Sequence, residues 1–222
     1  MDGMTADHTM IVAEIGSLNW AALGPDELSA TAWAYYYFSI QFRENLEAAL
    51  AIHPDDKLLQ HLAREECNTD NLSPWHGVAA PGEKMDHDEF MRRVLDLTPI
   101  DEAVRERIAI AGERYLALVR PMDNDVKAMS IASYECGGLE HVFRAILRAE
   151  QWDTPLLEGF RHFLVKHIEF DSDSDEGHGA LAQHLALDHR VRPLWAAFRD
   201  LFIVAAPGLV ANAMEPVTPI AA

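Results

Sequence analysis

The sequence predicts an all-α chain, one domain of seven to eight helices, and three observations lead there. Proline and glycine cut its 222 residues into pieces of helical length. Apolar residues inside those pieces recur at the helical period, and no alternating β-type run lies between them. The length fits one ordinary domain, expected to span residues 1–222 with its core at about 26–206, and buries a sizeable core without staples.

The elements follow in order along the chain. A first helix is expected from about His8 to Leu23, stopped by Gly24. Pro25-Asp26 opens a long helix reaching about Ile52. Pro54 suits the first position of a helix ending near Asn68, because proline's missing N–H would be unbonded there anyway. Asn68 to Lys84 is the longest irregular stretch, with Asn71, Ser73, Pro74, Gly77, Pro81 and Gly82, and loops of that length often bind or gate. A short helix covers Asp86 to Leu97. Thr98-Pro99 reads as an N-cap with proline after it, starting a helix that ends before Pro121. The next runs from about Asp123 to Ala149, with a bend expected at Gly137-Gly138. Thr154-Pro155 opens a helix carrying on to Asp171, and the run DSDSDEGHG is a poor helix former that distorts or interrupts it. A last helix covers about Val191 to Ala206.

Composition excludes several roles. Eighteen Lys+Arg against 36 Asp+Glu give a formal net charge of −18. Such a field repels phosphate backbones and anionic lipid, so neither nucleic acid nor membrane is expected as a partner. The most apolar stretch, Leu201 to Met214, is interrupted by Pro207 and Gly208 and is shorter than the ~20 residues of a membrane span. MDGMTADHTM lacks the basic and apolar regions of a signal peptide. Two cysteines, Cys67 and Cys136, make no disulfide framework, and a cytoplasmic location is expected. Eleven histidines in so acidic a chain are the raw material of metal sites.

The informative residues are ionisable ones placed on apolar helical stripes. After Pro155 the stripe is Leu156, Phe160, Phe163 and Leu164, and His167 and Asp171 continue it one turn apart, about 6 Å along the axis. Glu135 shares a face with Ala128, Ile131, Ala132, Leu139, Val142 and Ile146. Glu66 follows Leu58, Leu59, Leu62 and Ala63, with Glu65 nearer the edge of that stripe. Glu44 lies with Trp33, Tyr37, Ile40, Ala48 and Ala51, and His87 with Met91, Val94 and Leu95. Singly, each has a plain structural reading. A histidine on an apolar face is commonly a satisfied core residue, and an inward glutamate is commonly half of an ion pair, here with Arg43, Arg64, Arg144 or Arg161. Tyr35, Tyr36 and Tyr37 read as packing and both cysteines as small core residues. Repetition across at least four helices changes the balance, because buried carboxylates are costly unless paired or bound to metal.

SYECGGLEHVFRAIL and FRHFLVKHIEFDSDSDEGHG, together with LAREECNTDN and MDHDEFMRRVLDL, resemble the motifs of the haem-oxygenase-like di-iron oxidases and oxygenases. The wider superfamily includes haem oxygenases, thiaminase-II-like enzymes and the cofactor-maturing oxidase of pyrroloquinoline quinone synthesis. The likeness covers about Asp26 to Ala206. It implies a haem-oxygenase-like helical bundle and, residue by residue, the metal ligands Glu66, His87, Glu135, His167, Asp171 and His178, with Glu44 as a seventh candidate. Of these, Glu66, Glu135, His167 and Asp171 are the expected catalytic set.

Two departures from the family pattern stand out. His178 lies seven residues beyond Asp171, and in an unbroken helix it would sit about 16 Å along the axis from His167. Either the DSDSDEG segment bulges and returns it, or it is not a ligand, with Asp175 in reserve. A long insertion separates Glu66 from His87 and leaves His76, in PWHG, as a rival.

The resemblance implies two iron ions per chain, or an iron–manganese pair. It implies O₂-dependent oxidation of a small organic molecule by C–C cleavage, desaturation, decarboxylation or N-oxygenation, with an external reductant and a homodimer as further expectations. Three histidines with three or four carboxylates suit iron or manganese. The alternatives are a metal-free thiaminase-II-like hydrolase using Cys136, and a metal- or ligand-binding protein without turnover.

Overall fold

The computed structural model describes residues 6–171 and 177–211, and within them the chain is all-helical. Ten α-helices follow one another: α1 (Ala6–Ser17), α2 (Pro25–Ile52), α3 (Lys57–Glu66), α4 (His87–Leu95), α5 (Glu102–Val119), α6 (Asn124–Glu135), α7 (Gly138–Ile146), α8 (Pro155–Asp171), α9 (His178–Ala182) and α10 (Arg192–Ala205). Extended pairing among the described residues is confined to two isolated bridges, Thr69 with Met85 and Trp75 with Ala79. None of the described helices is long and apolar enough to cross a membrane.

Helix α2 is the hub. Pro25 takes its first turn together with Asp26 and Glu27, whose charges complement the helix dipole. At 28 residues it is about 42 Å long, enough to pack on α3, α4, α5, α6, α8 and α10 in turn. Its buried face runs through Leu28, Tyr35, Phe38, Phe42, Leu46 and Ala49. At its middle, the Tyr35 ring is surrounded by Phe38, Phe143, Phe160, Phe163 and Phe198, with centroids 5.4–6.3 Å away. These edge-on and tilted contacts are the favoured aromatic geometries, and they join four helices, α2, α7, α8 and α10, within one continuous core.

Several boundaries depart from expectation for local reasons. α1 stops at Ser17, and a 3₁₀ turn at Trp20–Ala22 follows, anchored by the Trp20 indole donating to Ile15 O at 2.8 Å. α3 begins after Asp56, whose carboxylate accepts from the N–H groups of Leu58 and Leu59, so Pro54 lies outside the helix. Thr98 does not cap α5; Asp101 does, accepting from Val104 N. Thr98 Oγ1 instead accepts from Leu156 N at the start of α8. The expected bend at Gly137 is a full break: Gly137 adopts φ +92, which a side chain would strain. Gly138 then packs so tightly that a Cβ would fall 2.2 Å from Ser133 O. The break lets α7 leave α6 at an angle and turns Glu135 into the last residue of its helix.

Candidate metal centre

Four helices and a short fifth converge on one buried cluster. Glu66 ends α3, His87 begins α4, Glu135 ends α6, His167 lies one turn before the end of α8, and His178 opens α9. All five are at most 6 % exposed. Helix ends carry four of them, so a few degrees of dihedral freedom at each terminus aims a side chain without disturbing a helix.

The distances define a compact group. Glu66 Oε2 is 2.8 Å from His87 Nδ1, and His87 Nδ1 is 3.0 Å from His167 Nε2. One donor atom from each of Glu66, His87 and His167 lies within 4.8 Å of the others. On the other side of the carboxylate, Glu66 Oε1 is 3.2 Å from His178 Nδ1, which is 3.2 Å from Glu135 Oε2. Glu66 therefore stands between a pair of imidazoles and a second imidazole–carboxylate pair. Its Oε1 is buried and accepts no well-formed hydrogen bond among the described residues.

The ring nitrogens turned away from the cluster are already engaged. His167 Nδ1 donates to Phe163 O at 2.8 Å, one turn back on α8. His87 Nε2 donates to Asn71 Oδ1 at 3.0 Å. The Asn71 amide has only one sensible orientation, because its Nδ2 donates to Glu65 O at 2.8 Å. Both rings thus turn a lone pair toward the same point beside an anionic oxygen. A metal ion fits this donor set of two imidazole nitrogens and one carboxylate oxygen.

Burial and charge divide the carboxylates. Burial acts to raise the Glu66 pKa, but the imidazoles of His87, His178 and His167 outweigh it and hold the group at about 2. Glu135 moves the other way: burial lifts it above the usual carboxylate range despite its hydrogen bond to His178. Burial, reinforced by the charge of His87, pushes His167 down to about 3. One anionic carboxylate and a neutral imidazole are what a divalent ion requires of its ligands.

The ion-pair reading of the inward glutamates fails for both. Among the described residues, no lysine or arginine pairs with Glu66 or Glu135; Arg43 pairs with Asp88 and Glu47, and Arg144 with Glu140. Glu65, the alternative to Glu66, faces partly outward, 3.9 Å from His61.

Glu44 is a correction. It lies outside the cluster, held by a bidentate pair with Arg120 at 2.7–3.2 Å. The face it shares with Trp33, Ile40, Ala48 and Ala51 is the half-exposed flank of α2 rather than its core face. His76 is exposed on the loop, whereas His87 is in the cluster. His178, at the start of α9, is in the cluster; the expected bulge in DSDSDEG falls on residues 172–176, outside the described residues. The Asp171 side chain and Asp175 lie outside the described residues.

Cys136, expected in the core, is exposed at the end of α6, while Cys67 is the thiol that borders the cluster. Burial and then the Glu66 charge push the Cys67 pKa up to about 12, so it stays a thiol. Sequence reasoning did not single out Asn71. Its only signal was membership in the irregular stretch, among residues that usually mark turns.

A narrow cavity of about 20 Å³ adjoins the cluster, walled by Tyr35, Phe38, Phe42, Leu139 and Phe163. That is room for about one water or one diatomic molecule. No protein-family model matches the chain, and no curated protein or solved structure matches it.

Proposed function

We propose that this chain is a non-haem iron protein that uses O₂ to oxidise a small organic molecule, on a bundle of the haem-oxygenase-like type. One observation carries the reading: two tautomer-fixed imidazoles and a buried, anionic carboxylate present their lone pairs within 4.8 Å of one another. Two histidines and one carboxylate are the ligand set of many O₂-using non-haem iron sites. Glu66, His87 and His167 would hold one ion. Glu66 Oε1, Glu135 and His178 supply donors for a second, and Asp171 ends the same helix as His167. Iron bound there supplies the electrons and open coordination positions that O₂ reduction needs.

The protein's own contributions are separate from the ion's. Asn71 and Phe163 O keep the imidazoles neutral on the inward side and oriented. Phe163 stacks on the His167 ring at 4.0 Å, restricting its rotation. Aromatic rings form much of the cavity wall beside the cluster, where Ser39, Arg43 and Asp88 add polar groups. An organic substrate needs that wall to part, since the cavity seats no more than a diatomic. This narrowness favours, as a second reading, metal binding without organic turnover. Cys136 gains no support as a nucleophile from its place outside the cavity.

The test is anaerobic titration of metal-free protein with Fe(II), counting ions per chain, followed by O₂ uptake. Two tight ions with O₂ uptake are expected. Glu135→Ala and His167→Ala variants that bind Fe(II) as well as the parent would overturn the proposal. Stable binding without uptake across a substrate panel favours the second reading.

A further inference from the structure

Glu66 and His87 belong to different helices, and the stretch 67–86 between them is irregular, yet their side chains meet at 2.8 Å. The loop is closed at its base by reciprocal hydrogen bonds of Thr69 and Met85 and by Asn68 N donating to Asp86 Oδ1 at 2.9 Å. Inside that base sits Asn71. Its Nδ2 holds the carbonyl of Glu65, the residue next to Glu66, and its Oδ1 holds His87 Nε2. The next residue is tied to α8, where His162 Nε2 donates to Leu72 O at 3.0 Å and the His162 ring stacks on Trp75 at 4.3 Å. The run from Asn71 to Trp75 therefore touches the helices that carry Glu66, His87 and His167.

We infer that Asn71 is a positioning residue of the metal centre: one carboxamide clamps His87 to the end of α3, so that Nδ1 alone of that ring is offered to the ion. The inference rests on the reading that the cluster binds metal. The chemistry is specific to an amide. A group that both donates to a carbonyl and accepts from an imidazole N–H is needed at one point, and asparagine provides both within a single rigid plane. Without it the His87 ring can rotate and offer Nε2 instead, at a different position relative to Glu66. Partners of this kind on ligand histidines typically control metal affinity by 10–100-fold.

The experiment uses Zn(II) as a diamagnetic probe with the full chain, comparing the parent with Asn71→Ala and Asn71→Asp. Zn(II) affinity is measured by competition with a chelator, and His87 is read by nitrogen-resolved NMR in metal-free and Zn(II)-loaded protein. In the parent, His87 should show a slowly exchanging Nε2–H in both forms and Nδ1 ligation when loaded. Asn71→Ala should lose the protected Nε2–H and weaken Zn(II) binding about 10–100-fold. Asn71→Asp keeps an acceptor for Nε2–H but loses the donor to Glu65 O, so it should keep the protected Nε2–H and recover only part of the affinity. An alanine variant that is less stable but keeps the protected Nε2–H and the parent's affinity overturns the inference, since its role would then be structural only. Should the parent bind no Zn(II) or Fe(II), the metal reading falls, and the Nε2–H signal still decides whether Asn71 sets the ring.

Discussion

His87 Nδ1 and His167 Nε2 approach to 3.0 Å while the opposite nitrogen of each ring donates to a fixed oxygen. Two lone pairs so close repel unless a cation lies between or beside them. Bound metal should therefore stabilise the fold directly. At a free-ion concentration 100 times the Kd, linkage gives about 2.7 kcal/mol, and for a chain of this size a rise in Tm of about 5–10 °C. Thermal unfolding with and without Fe(II) or Mn(II), then with chelator added, checks this; no shift with either ion would count against the site.

Glu66 and Glu44 should separate cleanly. Glu66→Gln removes the only carboxylate among the described residues that faces both halves of the cluster, and metal affinity should fall by more than ~100-fold, beyond what loss of a supporting partner does. Glu44→Ala removes a partly exposed pair with Arg120. It should leave metal affinity unchanged and cost no more than about 1 kcal/mol of stability. Ion counting and denaturant unfolding on both variants decide it.

Acid should destabilise the metal-free protein through His167. Its pKa is about 3 when folded against 6.5 unfolded, so between those values the unfolded chain binds a proton that the folded chain refuses. Stability then rises with pH across that window, by up to roughly 1.4 kcal/mol per unit from this group. Glu135, raised by burial, acts in the opposite sense above its unfolded pKa. Comparing the parent with His167→Gln leaves Glu135 common to both. The variant should show the flatter profile in urea unfolding between pH 6.5 and 3.

Gly112 tests the packing of α2 on α5. A Cβ there would fall 2.3 Å from the Tyr37 ring, which is itself buried. Gly112→Ala gains up to ~1 kcal/mol in helix propensity but overpacks the contact, which typically costs about 1–3 kcal/mol. A net loss of stability with unchanged metal affinity is expected from urea unfolding and ion binding.

Much of the centre was legible before any coordinates. Glu66, His87, Glu135 and His167 each interrupt an apolar stripe, and the rule that a 3.6-residue period defines a buried face held for all four. The same rule misplaced Glu44. α2 is surrounded on several sides, so its apolar residues run most of the way round and do not distinguish the face that looks at the cluster from the flank that meets Arg120. Helix ends were read less well. Thr98 and Pro54 are plausible starts, yet Asp101 and Asp56 cap the helices because their carboxylates reach the free N–H groups in the folded geometry.

By itself the sequence determined the helical class and the residue types of the cluster, because periodicity, proline and glycine placement and buried charge are local properties of the chain. Only the tertiary structure decided that Glu66 meets His87 across an irregular loop, that Gly137 ends a helix rather than bending it, that His178 returns beside Glu135, and that Asn71 joins them. Those relationships depend on the directions in which chain segments leave their helices. Direction is set by packing among distant residues, and no local pattern records it.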